Sequence, residues 1–245
     1  MGLKLNNMKL SLTFFVLFFY QICICQHQAK IKYIYPDYLQ ISNKSVRELS
    51  KQEAILDKIN KSTEKLVFEL IFDGNKSVFR VENKLDLDSE PNITSRIANS
   101  LPKTFLDFEN KTIYNLLKIG SQTFFIREDS KINWQIQDET KSIFGYKCRK
   151  AVIVDDIEKN IITEAWFTTE IPLNIGPSEF YGLPGLILSV KNYNSNGEVF
   201  SGFEVLDIDL SKQKKIILPN LKSITRQEFE EIIDSSRSRL LDSSH

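Results

Sequence analysis

Histidine is nearly missing from this chain. Of 245 residues only His27 and His245 carry an imidazole, one just past an apolar leader and the other at the last position. Chain ends hold side chains least firmly. Serine and cysteine triads and histidine-bound zinc centres therefore have no rigidly placed imidazole to be built around. Cysteine is scarce too, limited to Cys23, Cys25 and Cys148. No P-loop, glycine-rich dinucleotide turn or CxxC pair is present. An excess of either charge is also lacking, because 32 Lys and Arg balance 32 Asp and Glu. Nothing in that balance would neutralise a phosphate backbone, so no nucleic-acid partner is expected.

Residues 1–25 read as a signal peptide. Lys4 and Lys9 form a basic start, and Leu10–Tyr20 is an apolar run of eleven residues. That run is short for a membrane span of about 20 residues and suits a signal core. Cleavage before Gln26 would leave a soluble chain with no membrane span, periplasmic or secreted. An uncleaved anchor and a lipoprotein acylated at Cys25 are the alternatives, although Ile22 and Ile24 are not the small residues such a cysteine usually follows. The mature chain keeps one thiol, Cys148, and forms no internal disulfide. It alternates with Lys147 and Arg149 on a strand, which predicts burial as a small hydrophobe, with intermolecular pairing as the alternative.

Residues 26–245 read as one domain. Strands are predicted at 29–35, at 66–72 and 76–81 around Asp73-Gly74-Asn75, at 112–117, 122–127, 133–136, 146–154, 161–169 and 186–191, and from Val199 to Leu210. Asp138–Ser142 reads as a polar turn or short helix, and Ile216–Leu218 as one more strand. Gly202 is expected to mark a bulge or sharp bend in its long strand. Residues 83–110 read as a long polar segment with a short helix near 93–98. Two helices have capping boxes: Ser45 with Glu48 opens an early one over 46–60, and Thr225 with Glu228 opens a late one. The fold class is α+β and β-dominated: a single curved antiparallel sheet or half-barrel with one early and one C-terminal helix.

Glycine and proline are few, at nine and seven, so the place where they crowd together stands out. Gly176-Pro-Ser-Glu-Phe-Tyr-Gly-Leu-Pro-Gly-Leu-Ile-Leu188 mixes chain punctuation with large apolar residues. Such a segment is a fixed turn pressed against a core, or a docking surface. Pro184-Gly185 suits a type II turn, with φ > 0 at Gly185. The candidate binding residues are Trp166, Phe167, Phe180, Tyr181, Gly182, Leu183, Pro184, Gly185, Leu186 and Ile187.

Only carboxylates remain for chemistry. Asp155, Asp156 and Glu158 could attract a hard cation, yet they flank a turn, where acids serve solvation. Glu164 beside Trp166, and Glu179 beside Phe180, could form an acid pair of the glycosidase kind. No catalytic residue, metal ligand or cofactor is assigned.

Gly182-Leu-Pro-Gly-Leu-Ile187 resembles the signature of the GLPGLI family of exported Bacteroidetes proteins. The likeness extends through Trp134, Glu139-Thr-Lys141, Gly145-Tyr-Lys-Cys148, Lys150-Ala151, Ala165-Trp-Phe-Thr168, Ile171-Pro172 and Gly176-Pro177. It covers roughly residues 110–210. The resemblance implies export and carries no biochemical role. The expected function is a non-enzymatic envelope or secreted protein that binds a hydrophobic ligand or a partner chain, for which aromatics such as Phe124, Phe125, Trp166, Phe167 and Phe203 are suited. The alternative is a carboxylate-based hydrolase using Glu164 or Glu179.

Overall fold

The computed structural model describes residues 28–35, 66–82, 98–129 and 131–242. The expected leader and the early helix over 46–60 lie outside them. Among the described residues, twelve strands form one open sheet: β1 (Ala29–Ile34), β2 (Val67–Phe72), β3 (Lys76–Val81), β4 (Lys103–Asp107), β5 (Thr112–Ile119), β6 (Gln122–Glu128), β7 (Gln135–Ile143), β8 (Tyr146–Val154), β9 (Ile161–Thr168), β10 (Leu186–Tyr193), β11 (Val199–Asp209) and β12 (Ile224–Thr225). One long helix follows, α1 (Arg226–Asp242). Residues 98–100 are also helical.

The strand order is β12-β6-β5-β4-β3-β2-β1-β11-β10-β9-β8-β7. Two antiparallel meanders, β1 to β6 and β7 to β11, are therefore joined along β1 and β11. Only the short β12 runs parallel to its neighbour, β6.

Local chemistry places the turns. At the β2–β3 corner the Asp73 carboxylate accepts the backbone N–H groups of Asn75 and Lys76 at 3.0 and 2.8 Å, an Asx turn, and Gly74 takes φ 102°. Its other oxygen accepts the Ile216 N–H at 2.7 Å. These bonds hold the Asp73 carboxyl below its usual range against the upward push of burial. Ile216–Leu218 is thus a packed connection and not the expected strand. Ile216 is buried with Val78, Phe105 and Phe125, and Leu218 packs against them.

Three further strand-level expectations need correction. The long polar segment ends in β4, whose Thr104–Asp107 are buried. Asp138–Ser142 is not a turn but part of β7, which is polar because it is the sheet's outer strand. The bulge of β11 is not at Gly202. It falls at Phe200, with a second at Leu206. Gly202 stays in register with Lys191, and a Cβ there would lie 2.4 Å from the Val190 carbonyl oxygen.

The main core gathers Ile31, Tyr33, Phe68, Leu70, Phe79 and Phe203 with Trp166, Leu186 and Leu188. Phe68, Phe79 and Phe203 meet at centroid distances of 5.0–5.4 Å. A second cluster joins Ala151, Ala165, Phe167, Ile187 and Val190 to Phe180 and Leu183. At the far end, α1 opens with Glu228 accepting the Thr225 N–H at 2.7 Å, as the capping box predicts. Phe229 then packs edge-on against Phe124.

Candidate functional site

The connection between β9 and β10 carries the glycine- and proline-rich motif, and it folds back onto the start of β10. Pro172 and Pro184 each stand at the centre of a three-residue turn. The Leu173 N–H donates to the Ile171 carbonyl and the Gly185 N–H to the Leu183 carbonyl, both at 2.8 Å. Proline's fixed φ suits the middle of such a γ-turn. Leu186 and Ile187 then donate to the carbonyls of Ile171 and Ile175 at 2.9 and 3.0 Å. An isolated bridge pairs Ile175 with Tyr181.

The type II turn expected at Pro184-Gly185 is not formed. Gly185 does not have positive φ; the motif glycine that does is Gly182, at 90°. Gly185 is required for a different reason: a Cβ there would sit 2.0 Å from the Thr168 carbonyl oxygen. A Cβ on Gly176 would likewise meet the Ile187 side chain at 2.7 Å. Both glycines let two stretches of chain lie against each other.

The candidate binding residues do not line one cavity. Phe167, Phe180, Leu183 and Ile187 pack in the second cluster, while Trp166 and Leu186 belong to the main core. Gly185 is buried, Gly182 and Pro184 are exposed, and Tyr181 is half-buried. Trp134 fastens the motif from outside, with its indole N–H donating 2.8 Å to the Tyr181 carbonyl and its ring 6.0 Å from Phe180. Phe108, at the β4–β5 corner, meets the Tyr181 ring edge-on at 6.2 Å. The motif thereby touches both meanders.

Glu164 sits on β9 in a polar cluster. It accepts the Trp166 indole N–H at 2.8 Å and lies 3.3 Å from the Lys150 ammonium, with the Tyr193 hydroxyl at 3.5 Å. Lys150 also holds Glu139 at 3.2 Å. The Lys141 ammonium lies over the Trp166 ring, 4.1 Å from its centre. Burial pushes the Glu164 carboxyl up, but the bonds from Trp166 and Lys150 outweigh it and leave it below the usual range. Burial, and then Lys191 nearby, push the Lys141 amine down. Glu179 is exposed and bonded to the neighbouring Ser178 hydroxyl. Asp155 accepts the N–H groups of Ile157 and Glu158 at 2.8 and 2.7 Å and so shapes its own turn. No group of three His, Cys, Asp or Glu is arranged for a metal among the described residues. Cys148 is fully buried, and burial pushes its thiol up to about 11.

Sequence reasoning named Glu164 and Trp166, and quoted Lys141 and Lys150 only within the family likeness, without seeing that Lys150 pairs with Glu164 and that Lys141 lies over the Trp166 ring. The available signal was the strand alternation itself, which puts Lys150 on the same face of β8 as Cys148. Tyr33 was missed as well, since nothing near it in the sequence announces its bond to Ile187.

The motif falls within a stretch recognised elsewhere. Residues 155–189 match the model of a family described as a protein of unknown function, Porph_ging. No curated protein matches the chain significantly. Among solved structures, PNGF-II in its P21 crystal form is similar at TM-score 0.54 and 17% identity, over 86% of this chain and 34% of that one. Its C2 form gives 0.53 and 16%, over 86% and 33%. An uncharacterized conserved protein from Thermus thermophilus gives 0.40 and 8%, over 82% and 91%. The chain thus spans about a third of the PNGF-II chain, and the likeness is one of fold.

Proposed function

We propose that this chain is an exported, non-enzymatic protein of the GLPGLI type, periplasmic or secreted, that binds a partner polypeptide on a curved, half-barrel sheet. The observation that carries the reading is the burial of the motif. Leu183, Leu186 and Ile187 have no exposed surface, so the hexapeptide acts as an internal brace and leaves contact to other surfaces. Apolar side chains reach solvent elsewhere, at Ile157, Ile161, Ile162, Phe200 and Leu206. A cleft of about 520 Å³ beside α1 is lined by Gln122, Glu228, Glu231, Ser235 and Ser236 with Ile224 and Ile232. That lining is too polar for an apolar ligand.

Chain length supports the curvature. Ten strand steps separate β6 from β7, about 48 Å if the sheet were flat. The connection is residues 129–134, which spans at most about 25 Å from Glu128 to Gln135. Against the hydrolase reading stands the state of Glu164. A general acid needs a raised pKa, and here two donors keep the carboxylate charged.

Native mass spectrometry of the protein purified from its own envelope tests this. A co-purifying polypeptide is the expected result. A bound lipid, or turnover of a glycan that is lost in Glu164→Gln, would overturn it.

A further inference from the structure

We propose that the partner docks on the end of the sheet formed by the β8–β9 and β10–β11 turns, and that it presents an extended segment carrying apolar and basic side chains. The inference rests on the partner-binding reading above.

Three observations converge there. The first is how the apolar residues are aimed. Ile162 is the extra residue of a bulge between β9 and β8, and Phe200 that of a bulge between β11 and β10. Bulges re-aim side chains, and these two leave Ile162 and Phe200 40% and 63% exposed, beside Ile157 at 90%. A bulge that only relieved strain would more cheaply carry a polar residue.

The second is rigidity. Directly behind the bulges, Thr163, Asn192 and Ser201 form one row across β9, β10 and β11. The Thr163 hydroxyl donates to the Asn192 side chain at 3.0 Å, and Asn192 donates to the Ser201 hydroxyl at 2.8 Å. A braced surface loses little freedom when it binds.

The third is charge. Around these apolar residues the two turns carry Asp155, Asp156, Glu158 and Glu198 against the single Lys159. Acidic surroundings repel an anionic membrane surface and steer a basic chain. The surface lies at the opposite end of β9 from the motif, about 26 Å away by strand rise, so the two features do not compete.

The test titrates eight-residue peptides of alternating Leu and Lys, or of alternating Leu and Glu, into the isotope-labelled mature chain and follows amide shifts by NMR. The expected result is saturable shifts at residues 155–162 and 194–201 with the lysine peptide alone. Affinity should fall at least tenfold in Ile162→Ser/Phe200→Ser and in Asp156→Lys/Glu158→Lys, with urea midpoints unchanged. Shifts mapping elsewhere would overturn this surface and leave the binding reading standing. Equal binding of the glutamate peptide, or retention on phosphatidylglycerol vesicles, would overturn the choice of partner. Binding of neither peptide would overturn both proposals.

Discussion

The Tyr33 hydroxyl donates a 2.6 Å hydrogen bond to the main-chain carbonyl of Ile187, 154 residues later, and both residues are fully buried. The bond ties the first described strand to the last residue of the hexapeptide, beside the bulge at Leu188. Tyr33→Phe keeps the ring and removes the donor, leaving a buried carbonyl one partner short. The expected loss is about 1–3 kcal/mol in a urea melt. A melt indistinguishable from the parent would mean that the carbonyl finds another donor.

Gly185 and Pro184 should separate clearly. Gly185→Ala drives a methyl into the Thr168 carbonyl and should cost about 3 kcal/mol or prevent folding. Pro184→Ala keeps the γ-turn geometry within reach and should cost less than about 1 kcal/mol. Gly182→Ala meets open space at φ 90° and should cost about 1 kcal/mol from backbone strain alone. Equal effects at Gly182 and Gly185 would contradict the close-approach account.

Leu186→Ala should cost about 2–5 kcal/mol through the cavity it leaves, since Leu186 is fully buried in the main core with Leu188 and Ile171. Differential scanning calorimetry would register it as a lowered midpoint with the fold retained.

Cys148 should resist a thiol reagent at pH 8 in the native protein and react promptly in denaturant. With its thiol pushed up to about 11, the reactive thiolate is a small fraction at that pH, and the side chain is buried besides. Fast native labelling would show that the β7–β8 edge opens.

Glu69 gives stability a pH dependence of known sign. Burial pushes its carboxyl up, but Lys30 at 2.8 Å and Arg80 at 2.7 Å outweigh it and leave the folded value below the ordinary one. The unfolded chain therefore binds this proton more readily. The stabilisation is fully present above the ordinary glutamate range and is lost as pH falls through the folded value. Glu69→Gln should cost about 1–2 kcal/mol at pH 7, since both cations are about a third exposed. The difference from the parent should shrink towards pH 3. A constant difference across that range would remove Glu69 from the acid response.

Much of the strand pattern was legible because burial alternates where one side of a strand is packed. β1 reads buried and half-buried in strict turn, and Asp73-Gly74-Asn75 has the chemistry of its corner. The later part of β7, Asp138–Ser142, was misread as a turn or short helix because an outer strand has little to bury, so its sequence keeps no apolar face. β4 was lost behind Pro102 in a polar stretch. Thr225 and Glu228 gave α1 its start by local hydrogen bonding alone. The site was legible only in part. A motif dense in glycine announced a close approach, but which glycine needs φ > 0 and which needs space depends on Thr168, seventeen positions before Gly185. Bulges at Ile162 and Phe200 leave no mark that sequence alone can read.

The joining of the two meanders also sets an order in time. Within each meander every strand can pair with the one just made, which favours rapid local assembly. The seam is different: Lys30 faces Asp209 and Ile34 faces Glu204. β1 therefore waits, with one edge open, until nearly the whole chain has been synthesised. It is exposed to wrong partners during that interval. A nascent chain stopped before Val199 would carry an unsealed first meander, and that intermediate is the one a folding helper would have most reason to shield.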